Sequence, residues 1–377
     1  MRRFFILALC ALTALPVILA GAALPETSAV LKGTDFIRTQ QQADASYSGT
    51  LEQTMDAVFA VRAAGFDPAK ETAGGDSPAD YIKAKLATET RVPVLAKAAL
   101  VAKALGLDPK AVGGVDLIAK TNAAYDAGKG TYAGDDFSQS VIMLSLACTG
   151  NSVPLAAGAA LKANQLAESG GWGFGGFADP DTTAIAVQAL LATGSAKTDT
   201  SLTKAIAYFH TSQGDDGGWG FDPTESNASS TAYVVQALLA LGENPEAVGW
   251  QKGGVSPVAY LLSQQQADGS FLGFDPAFAT NQVVPALAGR TFCNAPETPI
   301  TRTKPAPTAT PTATATRPAP TASATPAAPS PTAAPLPPAT GNGGARGADG
   351  EAGVFAGALA LFVGGLLLVY LAKARRS

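Results

Sequence analysis

Between Val30 and Gly289 apolar residues recur at helical spacing, in short stretches separated by glycine-containing joints. Leu202 to Thr211 is one such stretch and Ser230 to Leu241 the next, with a polar, glycine-rich turn between them. The joint Gly65-Phe66-Asp67-Pro68 returns as Gly106-Leu107-Asp108-Pro109 and as Gly242-Glu243-Asn244-Pro245. Its physics predicts a helix ending on a left-handed Gly, a next helix capped by Asp or Asn, and Pro in the first turn. Weaker joints fall at Gly150 and Gly194, and the last stretch ends at Gly289. From Gly65 onward the spacings are 41, 44, 44, 48 and 47. With a first unit starting near Val30, the pattern predicts six units of two helices each.

The turns inside the units repeat as well. Gln40-Gln41-Gln42-Ala43-Asp44-Ala45-Ser46-Tyr47 matches Gln264-Gln265-Gln266-Ala267-Asp268-Gly269-Ser270-Phe271, and 165–172 and 213–219 are variants. The third unit keeps only Gly130-Thr131-Tyr132 and the second lacks the motif. Paired helices in tandem build either an open solenoid or a closed ring. A solenoid's end units diverge into caps, whereas here the first and last units match. The expectation is an all-α fold, a single (α/α)6 toroid spanning residues 24–293.

The two ends read as addresses. Residues 1–23, with Arg2 and Arg3 before an apolar run and Ala20-Gly21-Ala22, have the form of a secretory signal. From Ala295 to Gly341 the chain holds 13 of its 26 prolines and no aromatic residue. Residues 295–353 are therefore expected as a disordered, extended linker. Residues 354–372 carry no charge and are long enough to cross a bilayer, and 373–377 form a basic cytoplasmic tail. Pro337-Pro338-Ala339-Thr340-Gly341 resembles a sortase sorting signal, with Pro338, Thr340 and Gly341 as its matching residues and Pro337 where Leu is usual. Export is expected, with the toroid outside and held either by the membrane helix or, through sortase, by peptidoglycan.

Charge narrows the partners. Residues 24–293 hold 27 Asp and Glu against 17 Lys and Arg, a balance of −10 that excludes a basic nucleic-acid groove. A lone histidine, His210, removes most histidine-based metal sites, and no metal or cofactor is expected. Cys148 ends unit three and Cys293 follows unit six. In an exported chain they read as a disulfide across the ring or as two free thiols.

The Gln…Gly-Gly-Trp-Gly-Phe turns resemble the repeat of squalene cyclases and protein prenyltransferases, over about Val30 to Cys293 and most closely in the last three units. The resemblance implies the toroid and gives Gln165, Gln213 and Gln265 the task of tying helix ends to the next turn. Class II triterpene cyclases protonate their substrate with an Asp-X-Asp-Asp-Thr-Ala run. Here Asp179-Pro180-Asp181-Thr182-Thr183-Ala184 keeps two of the three carboxylates, making Asp181, with Asp179 beside it, the candidate acid. The fifth unit reads Ser229-Ser230-Thr231-Ala232 at the same place, so Thr-Ala is a repeat feature. Asp181 is accordingly expected to cap a helix and to have a lowered pKa. The zinc ligands of prenyltransferases have no counterpart at ligand spacing.

Parallel inner helices would gather the turns of all units on one rim. That places Asp135, Asp136, Asp179, Asp181, Asp222, Glu225 and Asp275 near Trp172, Phe174, Phe177, Trp219, Phe221, Phe271 and Phe274. Aromatic faces beside carboxylates suit a small-molecule, glycan or protein ligand. The leading expectation is a surface-displayed, non-catalytic binding domain. A terpene-cyclase-like or carbohydrate-active enzyme using rim carboxylates is the alternative, and a structural surface protein the third.

Overall fold

A computed structural model describes residues 24–221 and 225–304; the signal, most of the linker, the sorting segment and the expected membrane span lie outside them. Among the described residues are twelve α-helices. They are α1 (Thr27–Thr39), α2 (Leu51–Ala63), α3 (Pro78–Leu86), α4 (Val92–Ala104), α5 (Leu117–Asn122) and α6 (Asp136–Cys148). Then follow α7 (Leu155–Ala163), α8 (Pro180–Ala192), α9 (Thr200–Ser212), α10 (Ala228–Leu241), α11 (Pro257–Ser263) and α12 (Pro276–Leu287). The described sheet is one two-residue hairpin, β1 (Gly173–Phe174) with β2 (Phe177–Ala178).

The even-numbered helices form an inner ring in which each packs on the next, and α12 packs back on α2. An unbroken run from Pro180 to Leu190 is buried in α8, so this helix has no solvent face. The odd-numbered helices lie outside and bury one stripe, as α9 does with Leu202, Ala205, Tyr208, Phe209 and Ser212. Closure has its own bonds. Gln265 Nε2 donates to Ala29 O at 2.9 Å, Glu26 N to Leu287 O at 2.8 Å, and Gln53 Nε2 to the Asp275 carboxylate at 2.8 Å. The match between the Gln40 and Gln264 runs thus marks two units that touch.

One device recurs where the chain enters an inner helix. A threonine hydroxyl in the first turn accepts the backbone N–H of the aromatic residue that ends the turn before it. The pairs are Thr54 with Tyr47, Thr183 with Trp172, Thr231 with Trp219 and Thr280 with Phe271, at 2.9 to 3.0 Å. In unit three Gln139 Oε1 takes the role for Tyr132 at 2.7 Å. Thr183-Ala184 belongs to this scaffold. Glycine is required beside it: Gly217 and Gly269 have φ of 85° and 91°, and a Cβ on Gly269 would stand 2.3 Å from Lys32 O of the next unit.

Two sequence expectations change. The Gly-x-Asp-Pro joints do not start the next α-helix. Asp67 caps a single 3-10 turn, Pro68–Lys70, and α3 begins only at Pro78, capped by Ser77. At the weaker joints the outer helix does start soon after the glycine, α7 at Leu155 and α9 at Thr200. The linker, expected from Ala295, starts later. Ala295 is fully buried, Thr301 N and Arg302 N donate to Gly65 O, and Lys304 Nζ lies 3.1 Å from the Glu71 carboxylate. Residues 295–304 form a strap under the ring, pinned by a Cys148–Cys293 disulfide with Cα atoms 4.8 Å apart.

Candidate functional site

Inner helices begin at one end of the ring, so the site is read along its axis. Glu52, Pro93, Phe137, Asp181 and Ser229 occupy the second position of α2, α4, α6, α8 and α10, and Phe278, one residue later, does so in α12. Together they form a mouth. Four residues on, one helical turn deeper on the same face, stand Asp56, Lys97, Val141, Ile185, Tyr233 and Gln282. All six are buried. Lys97 Nζ donates to Asp56 Oδ1 at 2.5 Å, and the Gln282 amide lies beside the same carboxyl. Deeper still, Phe292, just before the strap, stacks on Tyr233 at 6.0 Å and lies 5.2 Å from Phe59, while its N–H donates to Gln188 Oε1. Below the mouth layer the axis is filled.

Asp179 and Asp181 divide their tasks differently from the sequence expectation. Asp179 is the N-cap of α8, in extended conformation, with Oδ1 accepting Thr182 N at 2.7 Å. Asp135 and Asn227 hold the same place on α6 and α10. Pro180 then takes the first helical position, which it fits because its missing N–H has no partner there. Asp181, the expected cap, is one residue too far along, and its carboxyl faces the axis. It is only 6% exposed, and its Oδ1 has no hydrogen-bond partner among the described residues.

Its pKa therefore rises instead of falling. Burial, and then the charge of Asp179, raise Asp181 from 3.8 to about 7 against the opposing Ser230 hydroxyl. Burial likewise raises Asp179 to about 6, against the Thr182 N–H and hydroxyl, with the Asp136 charge adding to the rise. Asp136 is raised too, first by burial and then by Asp135. Near neutral pH this pair retains a proton that ordinary carboxyls have lost.

The aromatic candidates separate into two sets. Trp172, Trp219 and Phe271 are fully buried and cannot meet a ligand. Their rings anchor the turns, with Trp172 Nε1 donating to Leu161 O at 2.7 Å and Trp219 Nε1 to Phe209 O at 2.9 Å. Phe174, Phe177, Phe221 and Phe274 stand exposed on the rim. Asp275 caps α12 and accepts from Gln53, and Asp222 lies outside the described residues. Gln165, Gln213 and Gln265 each donate to the backbone of their own turn and of the next unit. The Asp56–Lys97 pair went unread, although a lysine inside Val92–Ala104 is its visible signal. Among the described residues no His, Cys, Asp and Glu group is placed to hold a metal ion, and no helix is long and apolar enough to cross a membrane.

No family model matches the chain. It is 32% identical over 106 residues to sporulenol synthase of Bacillus subtilis, covering 25% of this chain and 16% of that protein. Over 61 residues it is 39% identical to squalene–hopene cyclase of Zymomonas mobilis, covering 13% and 9%. The chain thus matches less than a fifth of the length of either curated relative. In structure it matches the type II terpene cyclase MstE from Scytonema with a TM-score of 0.51 at 14% identity, over 70% of this chain and 97% of that one. A variant of that cyclase in complex with merosterolic acid A as product gives 0.52 at 14% identity, over 72% and 97%. The chain is a terpenoid-cyclase-like α/α toroid. In this toroid, the run from Asp179 to Ala184 opens an inner helix at the mouth, and Thr182 stands where a third carboxylate would be.

Proposed function

We propose that the mouth is a proton-donating site of the type II terpene-cyclase kind, acting on a small amphiphilic alkene. Asp181 is the acid, and Asp179 is the neighbouring carboxylate that keeps it protonated. The observation that carries this reading is the buried Asp181 carboxyl, raised to about 7, with one oxygen unpartnered at the mouth. Its proton passes to one alkene carbon, whose π pair forms the new C–H bond and leaves a cation on the more substituted carbon. A second double bond of the same molecule closes a ring onto that cation. Loss of a proton to water restores an alkene, and solvent reprotonates Asp181. The net change is an isomerisation that needs no oxidant and no cofactor. Phe137 and Phe278 of the mouth layer supply aromatic faces for the cation. The likeness to cyclases supports the reading, as does the match of this single ring to 97% of the length of one of them.

Incubating the chain with linear C15 and C20 isoprenoid alcohols and analysing extracts by gas chromatography–mass spectrometry tests it. Cyclised isomers should form and should vanish in Asp181→Asn; no product from either protein removes the enzyme reading. The filled axis favours a second reading, a non-catalytic ligand-binding domain, because the Asp56–Lys97 pair and Tyr233 occupy the depth that a long polyene would need. Ligand retained equally by the parent and Asp181→Asn, without conversion, would decide for it. Export and display outside the cell belong to the same proposal, supported by the disulfide. Protease added to intact cells should release the toroid by cutting in 305–341.

A further inference from the structure

Three consecutive turns, 164–179, 213–227 and 264–275, lead into α8, α10 and α12, which are neighbours in the inner ring. Each is anchored from behind by its buried aromatic. Each also carries large apolar side chains to the outside: Phe174 and Phe177 on the first, Phe221 on the second, Leu272 and Phe274 on the third, all at least 50% exposed. The first pair is held by structure, since the hairpin turns on Gly175 and Gly176, at φ 62° and 85°, and sets Phe174 opposite Phe177. Single exposed apolar residues are ordinary, but five on three adjacent turns form a patch. The same three turns contain eight Asp and Glu and no Lys, Arg or His. The strap brings Arg302 and Lys304 to Gly65 and Glu71, outside these three turns.

These facts select the occupant. An anionic membrane or a second copy of this acidic rim would meet carboxylates of its own sign, Glu168, Asp215, Asp216, Glu225 and Asp268 being exposed. A basic amphipathic surface satisfies both halves of the patch. We propose that the rim of units four to six docks a basic amphipathic segment of a partner protein, its apolar side chains between the Phe tips and its Lys and Arg against the surrounding carboxylates. The inference stands apart from the proton-donating reading and uses neither oxygen of Asp181.

The probe is a labelled peptide of leucine and lysine at helical spacing, about 18 residues and so about five helical turns, titrated with the purified chain and followed by fluorescence anisotropy. Binding should weaken as salt rises. It should fall about tenfold in Phe174→Ser/Phe177→Ser/Phe274→Ser, as for loss of exposed aromatic anchors, and stay unchanged in Leu155→Ser/Val248→Ser, two exposed apolar positions elsewhere. All three rim positions are exposed, and a circular dichroism spectrum checks that the fold is kept. The proposal is overturned by absent binding, by equal affinity in the triple Phe variant, or by equal binding of a leucine–glutamate peptide. Phe-dependent binding to anionic lipid vesicles, or Phe-dependent self-association in sedimentation, would overturn it in favour of the other occupants.

Discussion

Asp181→Asn reads the buried carboxyl pair through stability, and its signature is a difference that depends on pH. The folded carboxyl titrates near 7 and the unfolded one near 3.8. Between those values the native state binds more protons than the unfolded chain, so stability falls as pH rises. The contribution is fully present below about 4 and is lost as pH passes through about 7. Each tenfold in proton affinity is about 1.36 kcal/mol, which puts the cost of ionising Asp181 in the folded ring on the order of 4 kcal/mol. Asparagine never ionises. At pH 5 the variant should match the parent or fall slightly below it, because the contact with Ser230 weakens. At pH 8 it should exceed the parent by a few kcal/mol. Urea unfolding followed by far-ultraviolet circular dichroism at both pH values measures this, with the slope checked for constancy. A difference that is the same at pH 5 and pH 8 would show an ordinary ionised carboxylate, and the proton-holding pair would be lost as an idea.

Three further outcomes follow from the packing. Lys97→Met leaves Asp56 buried without its cation and should cost about 3–5 kcal/mol in urea unfolding, whereas an exposed lysine such as Lys129 should cost little when removed. Reducing Cys148–Cys293, which bridges a sequence separation of 145, should lower stability by about 3–5 kcal/mol and speed hydrogen exchange in 289–298; unchanged exchange there would contradict the pinned strap. Thr231→Val removes the acceptor of Trp219 N–H and should cost about 1–3 kcal/mol, equally at pH 5 and pH 8, with faster exchange at the Trp219 amide as the local readout.

What could be read in advance follows the range of the interactions involved. Helical spacing is local, and the repeat multiplies it, so six units, two helices per unit and the contact between first and last were all legible. The joints misled because Asp67-Pro68 has the local form of a helix start, and locally it is one: a 3-10 turn is capped as expected. The start that continues into α3 is the later one, where Ser77 and Asp80 form a capping box around Pro78. The strap shows the same limit from the other side. Proline-rich composition reads as extended chain, yet Ala295 and Pro296 are buried, because the lower end of the ring needs closing and the disulfide at Cys293 delivers them there.

The site turned on one residue of register. Asp179 and Asp181 both stand just before an apolar helical run, and either could be a cap by composition. Asp181 and Ser229 are equivalent, since both occupy the second helical position. Neither of them caps: Asn227 and Asp179 do, four residues before the Thr that holds the turn aromatic. The count back from Thr183 and Thr231 separates the two roles. Ser229 shows what the position tolerates when no charge is placed there, as do Pro93 and Phe137 on neighbouring helices. A buried carboxylate in a layer whose other members include proline, phenylalanine and serine does nothing for helix formation that they do not. Its cost to the fold is the ground on which Asp181 is proposed as the acid, and the pH dependence of Asp181→Asn measures that cost directly.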